Sequence, residues 1–256
     1  MQKIAFEINF SETTFISRTE KINGGYDVRI FTPRSELPFA GHPTIGSAFI
    51  IDQVVENGKA ININLNLKVG QIPVTKTGDI FWMRQNKPEF GTVLPHELMS
   101  RVLGLNYDQL IESTPVESVS TGMAFTIVQL KDKIALAQAK VQPRAYEEFL
   151  EATEGKGLMV FCAEGQTKSQ NVSTRVFVDY EGIPEDPATG SATGCLAAYL
   201  LKHNVLNSQE IDISIGQGYE MGRNSELFIR SSKHGHDYEI NVGGRVNIVA
   251  EGDWKI

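Results

Sequence analysis

Two ionisable residues, His42 and Asp186, occupy matching positions in the sequence. Each stands directly before a Pro-x-x-Gly-Ser-Ala segment, at residues 43–48 and 187–192, and one offset of 144 residues relates both pairs. Proline is typical of the first turn of a helix, where unpaired backbone N–H groups and the helix dipole bind carboxylates or phosphates without a basic side chain. The spacing therefore predicts two helix starts that bind a small anion, with Gly41, Gly190 and Ser191 as binding residues.

The two matching residues differ in charge. A helix N-terminus disfavours a histidine cation and stabilises an aspartate anion, so His42 and Asp186 would make an otherwise symmetric cleft between two halves asymmetric. Simpler interpretations exist for each: Asp186 as the N-cap of its helix, and His42 as a partly buried loop histidine with its hydrogen bonds satisfied. One such segment alone would indicate only a good helix start; two copies with ionisable residues favour a binding site.

A third candidate, Glu12, has no counterpart in the repeat. Residues 11–16 read as the start of a strand, and at an offset of 146 Phe15 matches Phe161 while Glu12 falls opposite Leu158. A carboxylate on one side only favours proton transfer by a single base. Cys162 and Cys195 stand outside these loops and read as small core residues rather than as nucleophiles.

The elements that would position these residues also repeat. Residues 59–69 alternate apolar and polar side chains as a half-buried strand does, and residues 211–215 are their counterpart. A helix precedes each strand, from Pro43 to about Asn57–Gly58 and from Pro187 to about Asn204. Further helices are predicted at 95–103 and 144–152, and strands at 74–83, 227–229, 239–242 and 246–250. We therefore predict an α+β protein of two similar halves, 1–113 and 114–256, with 245–256 returning to the first half.

Composition excludes several classes of function. The 256 residues carry a net charge of −7, which does not favour nucleic acid or an anionic membrane surface. No apolar run approaches the ~20 residues that span a bilayer, and no signal peptide opens the chain, so a cytoplasmic location is expected. Two cysteines cannot form a disulfide framework or a thiolate zinc site, and the His-Gly-His run at 234–236 reads as a solvated hairpin turn.

Motifs along nearly the whole chain resemble the phenazine-biosynthesis isomerase (PhzF-like) family, which has the diaminopimelate epimerase fold. They are Ser-Glu-Thr-Thr-Phe at 11–15, Phe-Ala-Gly-His-Pro-Thr at 39–44, Phe-Trp-Met at 81–83, Ser-Thr-Gly at 120–122, Gly-Ile-Pro-Glu-Asp-Pro-Ala-Thr-Gly-Ser-Ala at 182–192, Gln-Gly at 217–218 and Met-Gly-Arg at 221–223. The resemblance implies two domains around a cleft, each a barrel-like, mostly antiparallel sheet around a central helix, in a homodimer. It makes Glu12 the catalytic glutamate, His42 and Asp186 substrate contacts, and Ser191 the serine of the second helix start.

The chain departs from this family at its beginning. Members usually open with a strand and a Gly-Asn-Pro segment a few tens of residues ahead of the glutamate, whereas eleven residues precede Glu12. We therefore expect either that the sequence starts inside the true reading frame, or that the first strand is absent and the first sheet has an unpaired edge.

These observations together predict an isomerase that needs neither cofactor nor metal and acts on a small carboxylated substrate. Glu12 would remove a proton from one carbon and return it to another, moving a double bond. Two alternatives stay open: a racemase or epimerase of a small amino or hydroxy acid, and a non-catalytic protein that binds small acids.

Overall fold

The structure, a computed structural model, describes residues 1–253, without the side chain of Glu181. The fold is mixed α+β, which confirms the predicted class. The chain divides into two compact units: unit 1 contains Met1–Met83 and the segment that begins at Gly244, and unit 2 contains Arg84–Gly243.

Unit 1 is one sheet with a long helix. In chain order its elements are α1 (Gln2–Ile8), β1 (Thr13–Ile16), β2 (Tyr26–Phe31), β3 (Glu36–Leu37), α2 (Gly41–Val54), β4 (Asn62–Leu67), β5 (Gly70–Thr77) and β6 (Ile80–Arg84). The sheet follows the order β1-β2-β4-β5-β6, and β3 pairs with Ile30 and Phe31 at the end of β2.

Unit 2 has a larger sheet and more helices. In chain order its elements are β7 (Glu89–Leu94), α3 (His96–Leu103), β8 (Val116–Ser120), β9 (Ala124–Gln129), α4 (Lys133–Gln138), α5 (Pro143–Ala152), β10 (Gly157–Cys162), β11 (Val172–Val178), β12 (Ile183–Asp186), α6 (Gly190–Lys202), β13 (Glu210–Gln217), β14 (Ser225–His234) and β15 (Asp237–Gly244). Short 3₁₀ turns at Tyr107–Gln109 and Asp179–Glu181 join some of these elements. The sheet follows the order β7-β8-β9-β10-β11-β13-β14-β15, with β12 paired to β11.

The same order of elements occurs in both units. In unit 1, β2 pairs antiparallel with β1 and β3 and parallel with β4, and α2 makes the crossover to the parallel strand. In unit 2, β11 pairs antiparallel with β10 and β12 and parallel with β13, and α6 makes the crossover. Parallel neighbours require such a crossover, so the repeated Pro-x-x-Gly-Ser-Ala segments belong to corresponding helix starts.

The helix α6 is the centre of the unit 2 core. All its residues from Ala192 to Leu201 are buried, among them Tyr199, whose ring lies edge-on to Phe161. A helix that is apolar on every side must be enclosed on every side. In unit 1, α2 buries Ile45, Ala48 and Ile51 against the sheet.

A second layer covers the other face of the unit 2 sheet. The strands β10 and β11 are buried at every position, as expected when both faces of a sheet are covered. Helices α3, α4 and α5 provide this cover, with Met99, Leu136 and Phe149 packed near Phe177 of the sheet.

Several predicted boundaries differ from the structure. The units divide between Met83 and Arg84 rather than at 113/114, because β7 pairs with β8 and so belongs to the second sheet. Residues 246–250, predicted as a strand, form none, and Val246 packs on the unit 1 core instead. Of the segment 245–256 that was predicted to return to the first half, residues 254–256 lie outside the described residues. The helix α2 begins two residues before Pro43, and α6 begins three residues after Pro187.

The beginning of the chain is helical. Helix α1 precedes β1 and is held by Gln2, whose amide donates to the carbonyl oxygens of Thr32 and Pro33 at 3.0 and 3.1 Å. Among residues 1–253, β1 pairs with β2 alone, whereas the corresponding β10 pairs with both β11 and β9.

Candidate functional site

Glu12 stands directly before β1 with an oxygen atom that accepts no hydrogen bond. Its side chain is 19% exposed, and Oε2 is buried without a donor in hydrogen-bonding geometry among residues 1–253. The His42 Nε2 atom lies 3.0 Å from this oxygen, close enough for an ion pair but not aligned as a hydrogen bond. A carboxylate oxygen in this state keeps its lone pairs available to an incoming proton.

His42 is the second residue of α2, not a residue that precedes the helix. Ala40, in extended conformation, is the N-cap and makes no side-chain hydrogen bond to the helix, and the first turn holds no acidic residue. A Cβ built on Gly41 would meet only the Met83 methyl group, at 3.9 Å. This helix start therefore leaves backbone N–H groups and space for a ligand beside Glu12.

Asp186 is the last residue of β12 and lies in unit 2. The hydroxyl of Thr189 donates to its carboxylate, and the Gln217 side-chain amide donates to its backbone oxygen at 2.7 Å. Thr189 is the N-cap residue of α6, so the interpretation of Asp186 as the N-cap is wrong. The Asp186 carboxylate is instead held half-buried by a neighbouring hydroxyl.

Gln217 was not among the predicted site residues, although it organises this loop. Its side chain is fully buried, donates to Thr189 Oγ1 at 3.0 Å and accepts from the Thr189 backbone N–H at 3.3 Å. The next residue, Gly218, has φ +78°, and a Cβ there would lie 2.9 Å from the Pro187 oxygen. The Gln-Gly motif at 217–218 was the signal, since only glycine fits against this loop.

Gly190 and Ser191 form the first turn of α6, a helix of 13 residues. This helix start has neither a side-chain cap nor an acidic residue in its first turn, and a Cβ on Gly190 would meet nothing within 4 Å. Uncapped N–H groups with open space in front of them can bind an anion. Of the predicted residues, the structure thus groups Glu12, Gly41 and His42 in unit 1, and Asp186, Gly190 and Ser191 in unit 2.

An arginine fixes the strand that carries Asp186. Arg175 donates from Nε and Nη2 to the two carboxylate oxygens of Glu185, at 3.0 and 2.8 Å. Its Nη1 donates to carbonyl oxygens at the end of α4, including Leu136 at 3.0 Å and Ala139 at 2.7 Å. A planar fork of this kind fixes direction as well as distance, so Glu185 holds the neighbouring Asp186 in place.

The same fork occurs in unit 1. Arg29, which matches Arg175 in the repeat, donates to both oxygens of Glu36 at 2.9 Å, and its guanidinium lies 5.0 Å from the Phe31 ring centroid. The guanidinium of Arg175 lies 4.9 Å from Phe177. Here, however, the arginine side chain is half exposed, whereas Arg175 is only 10% exposed.

The two cysteines are core residues, as predicted. Cys162 and Cys195 are completely buried, and burial raises the pKa of each thiol to about 11. A protonated, enclosed thiol is neither a nucleophile nor a base at neutral pH. Proton transfer by a pair of thiols is therefore excluded for this chain.

Metal sites, membrane-spanning helices and cavities are further features by which the described residues could indicate a function. Residues 1–253 contain no group of three or more His, Cys, Asp or Glu placed to hold a metal ion, and no helix there is long and apolar enough to cross a membrane. The predicted hairpin turn is confirmed, since β14 ends at His234, β15 begins at Asp237 and the residues between are exposed. A cavity of about 520 Å³ in unit 1 is lined by Arg29, Glu36 and Lys68, not by Glu12 or His42.

The chain is similar to known proteins over almost its whole length. The family described as phenazine biosynthesis-like protein matches residues 1–252. A trans-2,3-dihydro-3-hydroxyanthranilate isomerase of Pseudomonas aeruginosa is 32% identical, and the match covers 98% of this chain and 87% of that protein. An uncharacterized isomerase of Clostridium acetobutylicum is 30% identical, over 97% of this chain and 85% of that protein.

A solved structure shares the fold. The crystal structure of a PhzF-family phenazine biosynthesis protein of Bacillus anthracis superimposes with a TM-score of 0.83 at 25% identity, covering 96% of this chain and 85% of that chain. The sequence matches and the structural match therefore indicate the same family.

Proposed function

Because the chain belongs to the phenazine biosynthesis-like (PhzF-like) protein family and is an isomerase, we propose that it moves a proton and a double bond within a small carboxylated substrate, with Glu12 as the single base. The observation that carries this proposal is the buried Oε2 atom of Glu12, which accepts no hydrogen bond from any described residue. One relative is named for the isomerisation of a dihydro-hydroxyanthranilate, which is itself a carboxylate.

The proposed step is internally balanced. Glu12 takes a proton from an activated carbon, the C–H electron pair becomes a new double bond, and the electron pair of the former double bond moves to the carbon at its far end, where it forms the new C–H bond. The protonated Glu12 then returns the proton to the carbon at the far end of the shifted system. No electrons leave the substrate, so the reaction consumes neither an oxidant nor a cofactor. General acid–base catalysis of this kind contributes about 10²–10⁴-fold in rate.

The remaining predicted residues bind the substrate in this proposal. His42, 3.0 Å from Glu12, contacts a hydroxyl or amino group beside the reacting carbon. The Asp186 carboxylate, held by Thr189, contacts a second polar group. The N–H groups of Gly190 and Ser191 bind the substrate carboxylate, and Gly41 provides the space beside His42.

The decisive experiment replaces Glu12 by glutamine, which keeps the shape of the side chain and removes the base. We expect trans-2,3-dihydro-3-hydroxyanthranilate, or another carboxylate that the wild type converts, to react about 10²–10⁴-fold more slowly with E12Q. The matched control is Glu7→Gln, because Glu7 is an exposed carboxylate of the same unit. Thermal melting of both variants shows whether they fold.

The outcomes separate the proposal from its two alternatives. Near-normal turnover by E12Q would refute the mechanism. In D₂O, a racemase exchanges one α-proton and inverts that carbon, whereas the proposed shift moves the proton from one carbon to another. Stabilisation by carboxylates without turnover of any of them by the wild type would indicate a non-catalytic binding protein. The cytoplasmic location stays a prediction from composition and the homodimer a prediction from the resemblance, and sedimentation would test the dimer.

A further inference from the structure

A cavity of about 460 Å³ in unit 2 is lined by none of the predicted site residues. We call it the lysine pocket, after three of the residues that line it. Its main lining residues are Lys87, Phe90, Lys202, Lys233, His236 and Tyr238. A volume of this size is typical of a site for one small molecule.

Two aromatic rings form an apolar surface in the lysine pocket. The ring centroids of Phe90 and Tyr238 lie 5.8 Å apart with the rings tilted by 53°, and both side chains are half-buried. Phe90 comes from β7 and Tyr238 from β15, so both rings are carried by strands rather than by a loop. Rings held in this way can contact the flat face of a ligand.

Two of the lysines already have partners. The Lys202 ammonium group lies 4.0 Å from the centroid of the Phe90 ring and 2.5 Å from the buried carboxylate of Glu117. Lys87 lies 3.1 Å from the exposed Asp237. The buried carboxylate of Glu117 therefore positions the Lys202 ammonium group before a ligand arrives, whereas the Lys87–Asp237 pair is exposed to solvent.

Lys233 is different. It is half-buried, its ammonium group lies 5.7 Å from the centroid of the Tyr238 ring, and no carboxylate pairs with it among the described residues. A partly buried cation without a counter-ion has lost hydration without a compensating charge. An anion bound beside Tyr238 would supply that charge.

We propose that the lysine pocket binds a small planar anion, a molecule in which a carboxylate or phosphate group is attached to a flat unsaturated ring. The ring lies against Phe90 and Tyr238, and the anionic group is bound by Lys233 with Lys202 beside it. The whole chain carries a net charge of −7, so anions are not attracted to its surface in general and this group of lysines is a local exception.

The test uses probes that separate the ring from the charge. Salicylate carries a ring and a carboxylate, and its halves are phenol and acetate. Adenosine 5′-monophosphate carries a ring and a phosphate, and its halves are adenosine and inorganic phosphate. Titration calorimetry on the full chain should show that salicylate or the nucleotide binds at least about tenfold more tightly than either half, since ring contact and charge each contribute about a factor of ten or more. Which of the two binds identifies the anionic group.

Variants locate the binding. Lys233→Gln should weaken the tighter probe about tenfold, the loss of one charge-assisted hydrogen bond at a partly exposed site, and Tyr238→Leu should weaken it while leaving phosphate unchanged. Lys168→Gln, a change at an exposed lysine of the same unit, is the matched control. Raising the salt concentration should weaken the wild type more than K233Q.

Two results would overturn the proposal. Neither probe binding more tightly than its halves would show that ring and charge are not recognised together. Binding that is equal in K233Q, Y238L and the control would show that the ligand sits elsewhere. Thermal melting identifies any variant that fails to fold, and the other variant then decides.

Discussion

Replacing Glu117 by glutamine should destabilise unit 2 at neutral pH and have a smaller effect in acid. Glu117 lies on β8 with only 5% of its side chain exposed, and its two oxygens contact Lys202 at 2.5 Å and His203 at 2.7 Å. Burial by itself would raise the pKa of this carboxyl, but the hydrogen bonds from His203 and Lys202 outweigh burial and hold the pKa below its ordinary value. The contacts of Glu117 with Lys202 and His203 therefore join β8 to the C-terminal end of α6.

The size of the expected destabilisation depends on how well Lys202 and His203 are solvated once glutamine replaces Glu117. Removing one partner of a fully buried ion pair costs about 3–5 kcal/mol, and removing an exposed partner costs about 1 kcal/mol or less. Lys202 is one-third exposed and His203 is 17% exposed, so both regain part of their hydration, and the glutamine oxygen still accepts one hydrogen bond. We therefore expect a loss of about 2–3 kcal/mol in the free energy of opening of unit 2.

The contribution of Glu117 to the stability of unit 2 should decrease as the pH falls. The folded-state pKa of Glu117 is depressed, so its contribution to stability is fully present above the unfolded pKa, near 4.3. The contribution is lost as the pH falls through the lower folded-state pKa. The difference between wild type and E117Q should therefore stay constant from about pH 7.5 to 5 and shrink below about pH 4.5.

Native-state hydrogen exchange is the suitable assay, because a protein of two units need not unfold in one step. Amides of β8 and α6 should exchange faster in E117Q by the factor that corresponds to 2–3 kcal/mol, roughly 30- to 150-fold. Glu151→Gln, at an exposed carboxylate of the same unit, should leave them unchanged. Equal protection in E117Q and wild type at pH 7.5, or a difference that persists undiminished at pH 3.5, would refute the reasoning.

Two further predictions concern the repeated fork and the buried thiols. Arg175→Met should destabilise unit 2 by about 3–5 kcal/mol, because it removes the partner of the largely buried Glu185 carboxylate and the side-chain hydrogen bonds to three carbonyl groups. Arg29→Met, at the exposed fork with Glu36, should cost about 1 kcal/mol or less, and comparable losses of the two variants in urea denaturation would contradict this. Cys195→Ala should leave the rate of proton transfer unchanged and lower stability by about 1–2 kcal/mol, and a loss of turnover in a folded C195A protein would contradict the exclusion of thiol chemistry.

The periodic parts of the fold could be predicted from the sequence. Strict alternation identified β4 at Asn62–Leu67, and the repeat identified β13 as its counterpart. The class α+β and the two central helices followed from the same patterns. These elements were predictable because burial on one face, or on every face, determines the type of each residue along them.

The exact helix starts and the division of the chain were not predictable in the same way. Proline permits a helix start but does not require it, and the α6 start moves to Gly190 because Gln217, more than twenty residues away, binds Thr189 and the Asp186 oxygen. The boundary at 83/84 depends on which strand β7 joins, a long-range pairing that local patterns do not encode. Glu12 was identified as a candidate because the repeat has no carboxylate at the matching position. Its distance from His42 could not be derived from the sequence and required coordinates.

The complete enclosure of α6 limits which amino-acid substitutions unit 2 can accept. None of the ten residues from 192 to 201 has a side accessible to water, so a mutation in this stretch cannot be accommodated by turning a larger side chain outward. Variation during evolution must then be confined to exchanges of similar volume, or be accompanied by compensating changes in the surrounding strands. We expect natural diversity in this unit to accumulate in its loops and outer helices, while the middle of α6 changes slowly.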